Sequence, residues 1–381
     1  MSIDVRAVTG GRELEAFIRL PWRIYGEDPC WVPPLLSTVK HALDERENPF
    51  FEHGAIRPYL AWRDGRPAGR IAAIENSLHN EFHGERTGFW GFFESEKDPE
   101  VAAALLERAA GDLTSRGFAE MRGPMSPSIN SESGLLTEGH DLPPVVLTAH
   151  NPPWYPDLVE AAGQRSLKTL FAFQLREADV DVARGGAAVK RLYRLAAAVR
   201  RRLLDVTIRC LDVKRYAEET RALNDVFNEV RSPNWGFVPV TQAEFRHTSR
   251  MMKPFLDPDL VVIAERKGRI IGCLMAIPDV NQVLRRLDGR LFPLGWLKVL
   301  WLRRSIHSIR VFGAATLPPF RNIGITPLLF QELISTCARK GYRSAELSWV
   351  AEDNHNSLAT IESAFAIKPY KRYKVYTRTL E

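Results

Sequence analysis

The sequence predicts an α/β protein made of two copies of one unit, and three observations carry that reading. Residues 60–74 and 263–277 align at an offset of 263 − 60 = 203, with seven of fifteen positions identical. Each copy reads strand, glycine turn, strand, the pattern of a β-hairpin. Residues 115–118 (Ser-Arg-Gly-Phe) parallel 339–342 (Arg-Lys-Gly-Tyr) at the end of a helical pattern, with 341 − 117 = 224. Finally, residues 309–341 read as strand, Gly-containing loop and helix. That helix has Leu328, Leu329, Leu333 and Ile334 on one face, Arg339-Lys340 in its last turn and Gly341 as its C-cap.

Composition bounds the class. At 381 residues, two domains are expected rather than one. A hydrophobic content of 45% and a charged content of 26% suit a globular chain with a sizeable core. The formal net charge of +6 admits an anionic partner. Cys30, Cys210, Cys273 and Cys337 show neither metal spacing nor a disulfide framework, which suits a reducing cytoplasm. No His/Cys/Asp cluster suggests a metal. The first residues lack a basic segment followed by an apolar run, so no signal peptide is expected. No apolar run is long enough to span a membrane.

Taken in order, residues 13–25 read as a helix broken by Pro21, and 28–34 as a proline-stiffened extended segment. A turn at 48–51 leads into the first hairpin, 59–74. Residues 87–94 read as a buried strand. Glu94, Glu96, Asp98 and Glu100 then precede a helix over 101–115, where four carboxylates would favour the helix dipole and repel a pyrophosphate. A polar Gly/Pro/Ser loop, 120–136, leads on to a short helix at 155–162 and a closing strand at 168–175. Residues 177–186, acidic and then Gly-Gly, form the boundary. The expected domains are therefore 1–180, a linker with a basic helix at 181–204, and 205–381. That linker helix carries Lys190, Arg191, Arg194, Arg200, Arg201 and Arg202 opposite Leu192, Leu195, Val199 and Leu203. It reads either as a solvated helix packed on its own domain or as one lying on an anionic membrane. Beyond it come a strand at 206–211, helices at 217–229 and 242–255, and the second hairpin, 259–277.

The two offsets differ by 224 − 203 = 21, so the second copy carries about that many extra residues. They fall at 281–305, a stretch rich in Leu, Trp and Arg. It holds six basic residues and one Asp, so 6 − 1 = +5, most of the excess charge of the chain. Basic residues grouped with Leu and Trp, not with polar residues, argue against nucleic acid.

The Gly-containing loop aims backbone N–H groups outward at the positive end of a helix, a site for a phosphate. Beyond it, 344–350 reads as another strand and 352–356 (Glu-Asp-Asn-His-Asn) opens a further helix. This order resembles the acyl-CoA-binding half of the GNAT (GCN5-related N-acetyltransferase) superfamily, whose loop reads Arg/Gln-x-x-Gly-x-Gly/Ala. Arg321 and Gly324 match, Thr326 stands where a small residue is usual, and Asn354 matches an Asn of the following helix. Ile361 stands where many members have a Tyr acid. The resemblance implies two GNAT-like units in tandem, with mixed, mostly antiparallel sheets flanked by helices. Only the second would bind acyl-CoA, the first being a decayed or repurposed copy. It implies Gly313, Ala314, Ala315, Thr316 and Leu317 for the pantetheine and the thioester carbonyl. For the pyrophosphate it implies Arg321, Asn322, Ile323, Gly324, Ile325 and Thr326, with Asn354 alongside.

A narrower resemblance spans nearly the whole chain. Pro21 to Tyr25, Asn48 to Phe51, Gly69 to Ala73, Asn234 to Pro239, Pro278 to Gln282 and Tyr370 to Tyr376 are similar to motifs of the bacterial ceramide synthases and their relatives. These are GNAT-type enzymes that acylate a sphingoid long-chain amine. The Leu/Trp/Arg stretch 281–305 reads either as a face that docks peripherally at the inner membrane and covers lipid tails, or as an internal lid helix or dimer contact. The resemblance implies a lipophilic amine as acceptor. Asn234, Trp235, Phe237, Asn281, Gln282 and Trp296 are the residues expected to meet it.

N-acylation must hold the thioester, polarise its carbonyl, deprotonate the amine and release a thiolate. One preorganised N–H at the carbonyl is worth about 3–4 kcal/mol in other acyl-transfer sites. An alkylamine of pKa near 10 is neutral in roughly one molecule in two thousand at pH 7, so a base or a dehydrated site is required. Asp279, at the exit of the second hairpin, is the first choice of base and Glu352 the second. Asn281 and Gln282 are placed to hold a keto or hydroxyl group. Because a thiolate leaves readily, Tyr370 or Tyr373 suffices as the acid, or none is needed. His247, His307 and His355 read as isolated surface or core residues. Two alternatives stay open: a GNAT enzyme acting on a soluble amine, and a non-catalytic acyl-CoA-binding scaffold.

Overall fold

The computed structural model describes residues 3–180, 186–291 and 295–381, without the side chains of Trp296 and Leu300. The backbone forms two compact units that interleave along the chain. Unit 1 holds Met1–Leu170, Asn281–Trp301 and Lys371–Glu381; unit 2 holds Phe171–Val280 and Leu302–Tyr370. The division expected from sequence followed the chain, whereas these units gather segments distant in sequence.

Unit 1 begins with β1 (Ile3–Ala7), α1 (Gly11–Ile24) and α2 (Leu36–Ala42), then the hairpin β2 (Gly54–Arg63) and β3 (Arg66–Asn76). There follow α3 (Ser77–His83), β4 (Thr87–Ser95), α4 (Pro99–Ser115), β5 (Glu120–Gly123), the short strands β6 (Met125–Ser126), β7 (Glu132–Ser133) and β8 (Leu135–Glu138), and α5 (Tyr155–Ala161). The strand β9 (Arg165–Arg176) and the one-turn α6 (Glu177–Val180) lead out of it. Unit 2 contains α7 (Ala187–Arg202), β10 (Val206–Cys210), α8 (Tyr216–Arg231), α9 (Gln242–Met252) and the hairpin β11 (Val261–Arg266) and β12 (Arg269–Pro278). The inserted stretch carries α10 (Asn281–Leu284) and α11 (Gly295–Leu302). After it come β13 (Ser308–Thr316), α12 (Ile325–Lys340), β14 (Ser344–Ala351) and α13 (His355–Phe365), and the chain ends in β15 (Pro369–Thr379).

The repeat is physical as well as sequential. Both hairpins turn through two residues of positive φ, Asp64-Gly65 at 53° and 77° and Lys267-Gly268 at 50° and 77°. Such turns match the twist of the flanking strands. Each hairpin also has a bulge at the same place, after Ala61 and after Ala264, with 264 − 61 = 203. In unit 1 the strand order is β1-β2-β3-β4-β5-β15, with β4 and β5 parallel and β15 antiparallel to β5. In unit 2 it is β9-β14-β13-β12-β11-β10, with β13 and β14 parallel. The sheet of unit 1 packs on α4 through Val101, Leu105, Leu106 and Leu113. That of unit 2 packs on α12 and α13 through Leu329, Phe330, Leu333 and Phe365.

Pro21 does not break the first helix, which continues to Ile24 with the proline inside it. Pro21 has no N–H to offer the carbonyl of Phe17. The buried guanidinium of Arg70 donates to that oxygen instead, at 2.7 Å. The basic linker helix α7 packs on its own unit through Val189, Leu192, Ala196 and Val199, with its cations exposed.

Candidate active site

The feature on which the expected site depends is the separation of two parallel strands. In unit 2, β13 pairs with β14 only from Ser308↔Ser344 to Val311↔Leu347, although both strands continue for several residues. On its other edge β13 shifts register against β12 between Met275↔Gly313 and Ala276↔Val311, leaving Phe312 as the bulged residue. A bulge bends and twists its strand, and here it falls where the pairing with β14 stops. Past it come Gly313, the exposed Ala314, the buried Ala315 and Thr316. A Cβ on Gly313 would lie 2.7 Å from the ring of Phe227, so only glycine lets α8 approach the strand this closely.

Unit 1 treats the same position differently. Its β4 and β5 also pair in parallel, from Thr87↔Glu120 to Phe89↔Arg122. Beyond that point the chain closes on itself. The Phe92 N–H donates to Ser126 Oγ at 2.9 Å, and a Cβ on Gly91 would come within 1.7 Å of the Met125 carbonyl. The acidic residues after β4 also serve roles other than the one expected. Glu94 is not at a helix start but on β4, partly buried between Tyr25 and Tyr155, whose hydroxyls each donate to Oε2 at 2.8 Å, with Arg70 at 3.3 Å. Burial raises its pKa against the opposing effect of Arg70 and the two hydroxyls. Asp98 caps α4 and pairs with Arg63; Glu100 also pairs with Arg63, and Glu96 with Arg23 and Arg66.

The loop of unit 2 is built from local chemistry. Leu317 N–H donates to Ile271 O at 3.0 Å, and a 3-10 turn, Pro318–Phe320, follows. Arg321 is exposed, its Nε donating to Thr316 O at 3.3 Å. Asn322 and Gly324 have φ of +64° and +97°, and Gly324 is the N-cap of α12. Ile325 is buried in the core and anchors the first turn, while Thr326 Oγ1 lies 3.4 Å from Thr316 Oγ1. No side chain caps α12, so its first N–H groups are left to water or a ligand.

Next to the strand gap lies a buried polar cluster of which the sequence reading named Asp279 and Tyr370 but not Ser308, Arg310, Glu346 or Ser348. Asp279, at the end of β12, is 5% exposed. Its N–H donates to Ser308 O at 2.9 Å, and Ser308 Oγ donates to its Oδ2 at 3.2 Å. On the same strand as Ser308, Arg310 donates through Nε to Ser348 Oγ at 3.0 Å and lies over the Trp349 ring at 4.9 Å. Ser348 Oγ donates in turn to Glu346 Oε1 at 2.5 Å, and the Tyr370 hydroxyl donates to Oε2 of the same carboxylate. The one signal in the sequence was the alternation Ser344, Glu346, Ser348 along a strand. Which of its two faces carried chemistry could be read only from the sheet.

The remaining expected residues fall as follows. Glu352 is exposed on the turn after β14, a different setting from the buried Asp279. Asn354 is the N-cap of α13, its Oδ1 accepting from Ser357 N–H at 3.1 Å. Ile361 is 4% exposed and packed in the core of unit 2, so the helix face that would carry an acid carries packing instead. Asn234 and Trp235 are half-buried in the turn after α8, and Phe237 is buried, its N–H donating to Asn234 O at 3.2 Å. Tyr373, fully buried opposite Leu136, and Asn281, whose Nδ2 donates to Pro144 O at 3.0 Å, belong to unit 1 with the half-buried Gln282. The side chain of Trp296 lies outside the described residues.

A sheet opened at a bulge, followed by an uncapped helix start behind a left-handed loop, is the arrangement that the resemblance to the GNAT superfamily implied for its acyl-CoA-binding half. The model of the Acetyltransferase (GNAT) family matches residues 222–365. The chain is 34% identical over 383 residues to Protein YghO of Escherichia coli K12, covering 99% of this chain and 95% of that one. It is also 34% identical over 385 residues to the Bacterial ceramide synthase of Caulobacter vibrioides, covering 99% and 98%. Among solved structures, a tandem GNAT protein from the clavulanic acid biosynthesis pathway superposes with a TM-score of 0.59 at 12% identity, covering 100% of this chain and 99% of that chain. A GCN5-related N-acetyltransferase from Sphaerobacter thermophilus gives 0.51 at 13%, covering 100% and 96%. The chain belongs to the GNAT superfamily and has the tandem fold. No helix among the described residues is long and apolar enough to cross a membrane.

Proposed function

We propose that this protein is an acyl-CoA-dependent N-acyltransferase that acylates a sphingoid long-chain amine, forming ceramide or 3-ketoceramide at a membrane surface. The observation that carries the reading is the contrast between the two units. The strand gap leads to a phosphate-competent loop in unit 2, and its counterpart in unit 1 is closed by Ser126. The identity to a bacterial ceramide synthase over nearly the whole chain supports the lipid acceptor.

In this reading Gly313 to Leu317 pair with the pantetheine and polarise the thioester carbonyl. Arg321 to Thr326 hold the pyrophosphate, with Asn354 beside them. Asp279 takes a proton from the acceptor's ammonium. The neutral nitrogen attacks the carbonyl carbon, the C–N bond forms and the C–S bond breaks. The second proton of the nitrogen goes to the leaving thiolate directly or through Tyr370. Asn234, Trp235 and Phe237, all of unit 2, contact the acceptor, and Glu352 is the alternative base. Along α11, Leu297 is 46% and Trp301 78% exposed, with Lys298 exposed between them. Apolar rings and chains flanked by cations suit the boundary between headgroups and acyl chains, where both lipid substrates reside.

The test is release of CoA thiol from a long-chain acyl-CoA with 3-ketosphinganine, sphinganine and a panel of soluble amines, with product mass measured. N-acylated long-chain amine from the wild type, lost in Asp279→Asn, is the expected result. Turnover only with soluble amines would replace the acceptor assignment, and no turnover with any amine would favour a binding protein.

A further inference from the structure

Helix α7 lies between the two sister modules in sequence, and nothing in the repeat requires it. Yet it touches the phosphate loop at two points. A Cβ on Gly324 would lie 2.2 Å from Val199 Cγ2, so the helix is packed against the loop at its one left-handed glycine. One turn on, Arg202 Nη2 donates to the Ile323 carbonyl at 3.2 Å. Arg202 is exposed, and among the described residues no carboxylate pairs with it or with its neighbours Arg200 and Arg201. A guanidinium has five N–H donors in a rigid fork, and one bond to a carbonyl leaves its charge and most of its donors available. The helix dipole accounts for cations in the last turn of α7. It does not account for one of them reaching across to the backbone of an anion-binding loop.

We propose that Arg202 binds a phosphate of the donor's nucleotide, so that α7 supplies part of the cofactor site and sets the preference for a nucleotide thioester over a bare pantetheine thioester. This rests on the reading that residues 321–326 take the donor's nucleotide. The ligand is a phosphate monoester or diester, and the donor carries both kinds: a pyrophosphate and a ribose phosphate. Loop amides and Arg321 approach from one side, and Arg202 approaches from the α7 side. Arg200 and Arg201 raise the local positive potential.

The experiment measures binding by calorimetry of palmitoyl-CoA, palmitoyl-dephospho-CoA and palmitoyl-pantetheine, below their micelle concentrations. Wild type is compared with Arg202→Gln, Arg202→Lys and, as control at the far end of the same helix, Lys190→Gln. Arg202→Gln is expected to weaken palmitoyl-CoA about tenfold, in keeping with one charge-assisted contact, and to leave palmitoyl-pantetheine unchanged. Arg202→Lys should recover part of the loss, which a folding defect would not, and Lys190→Gln should match the wild type. An undiminished effect on palmitoyl-dephospho-CoA assigns the contact to the pyrophosphate; loss of the effect assigns it to the ribose phosphate. The proposal is overturned if Arg202→Gln leaves palmitoyl-CoA binding intact or weakens all three ligands equally. If the wild type itself does not distinguish palmitoyl-CoA from palmitoyl-pantetheine, the cofactor reading of the loop fails, a separate and recognisable outcome.

Discussion

Replacing Gly324 with alanine tests the link between the loop and the helix behind it. Two costs combine at that residue. Its φ of +97° is a backbone conformation L side chains rarely adopt, worth about 1–2 kcal/mol for a non-glycine residue. The new Cβ would also lie 2.2 Å from Val199 Cγ2 and 3.2 Å from Cγ1, both on a buried residue of α7 with little room to move. Overpacking of this kind costs about 1–3 kcal/mol. The expected destabilisation is therefore about 2–5 kcal/mol, read from the urea midpoint, with a parallel loss of acyl-CoA affinity as the loop shifts. Val199→Ala in the same chain removes the clash and leaves the backbone cost. The double-mutant cycle should then show a favourable coupling of about 1–3 kcal/mol. A silent Gly324→Ala, or a cycle additive within about 0.5 kcal/mol, would refute the packing argument.

Other outcomes follow from the same geometry. Asp279→Asn should lower kcat by about 10²–10³, within the range for a lost general base, with KM for acyl-CoA little changed; a similar loss in Glu352→Gln with Asp279→Asn active would transfer the role. His79 is buried on α3 with Nε2 3.2 Å from Glu85 Oε2, and burial lowers its pKa to about 4. Its unfolded form near 6.5 binds the proton more tightly, so stability falls as pH drops from about 6.5 to 4, by about 3 kcal/mol at most. His79→Gln should flatten the urea midpoint over that interval, and an unchanged slope would count against it. Leu297→Ser with Trp301→Ser should reduce sedimentation with anionic liposomes and leave short-chain acyl-CoA binding unaltered; equal sedimentation would remove α11 from the membrane contact.

The parts legible in the sequence are those written by neighbouring residues. The hairpins, their two-residue turns, the C-cap Gly341 and the left-handed loop before α12 all depend on turn chemistry and periodicity within about a dozen positions. The offset of 203 shows the duplication in the sequence itself, and the hairpin bulges after Ala61 and Ala264 obey it. Glu94 shows the limit of such reading. Its place in a run of carboxylates suggested a helix start, but strand pairing carried it to a partly buried position where Tyr25, Tyr155 and Arg70 satisfy it from 69, 61 and 24 residues away.

Only the tertiary structure decided which duplicate stays open. Ser126 and Met125 close the first gap, and nothing in their own sequence announces that they face Phe92 and Gly91. Likewise Arg310, Glu346 and Ser348 become one buried network because parallel pairing sets β13 and β14 in register. The last strand and the stretch Asn281–Trp301 join unit 1 although most of the chain lies between them and its start. Local backbone preference is a sum over adjacent residues, so a sequence displays it directly. Burial and long-range pairing are settled by whichever distant partners remove the most surface from water while satisfying every buried polar group, and that choice is made by the folded chain as a whole.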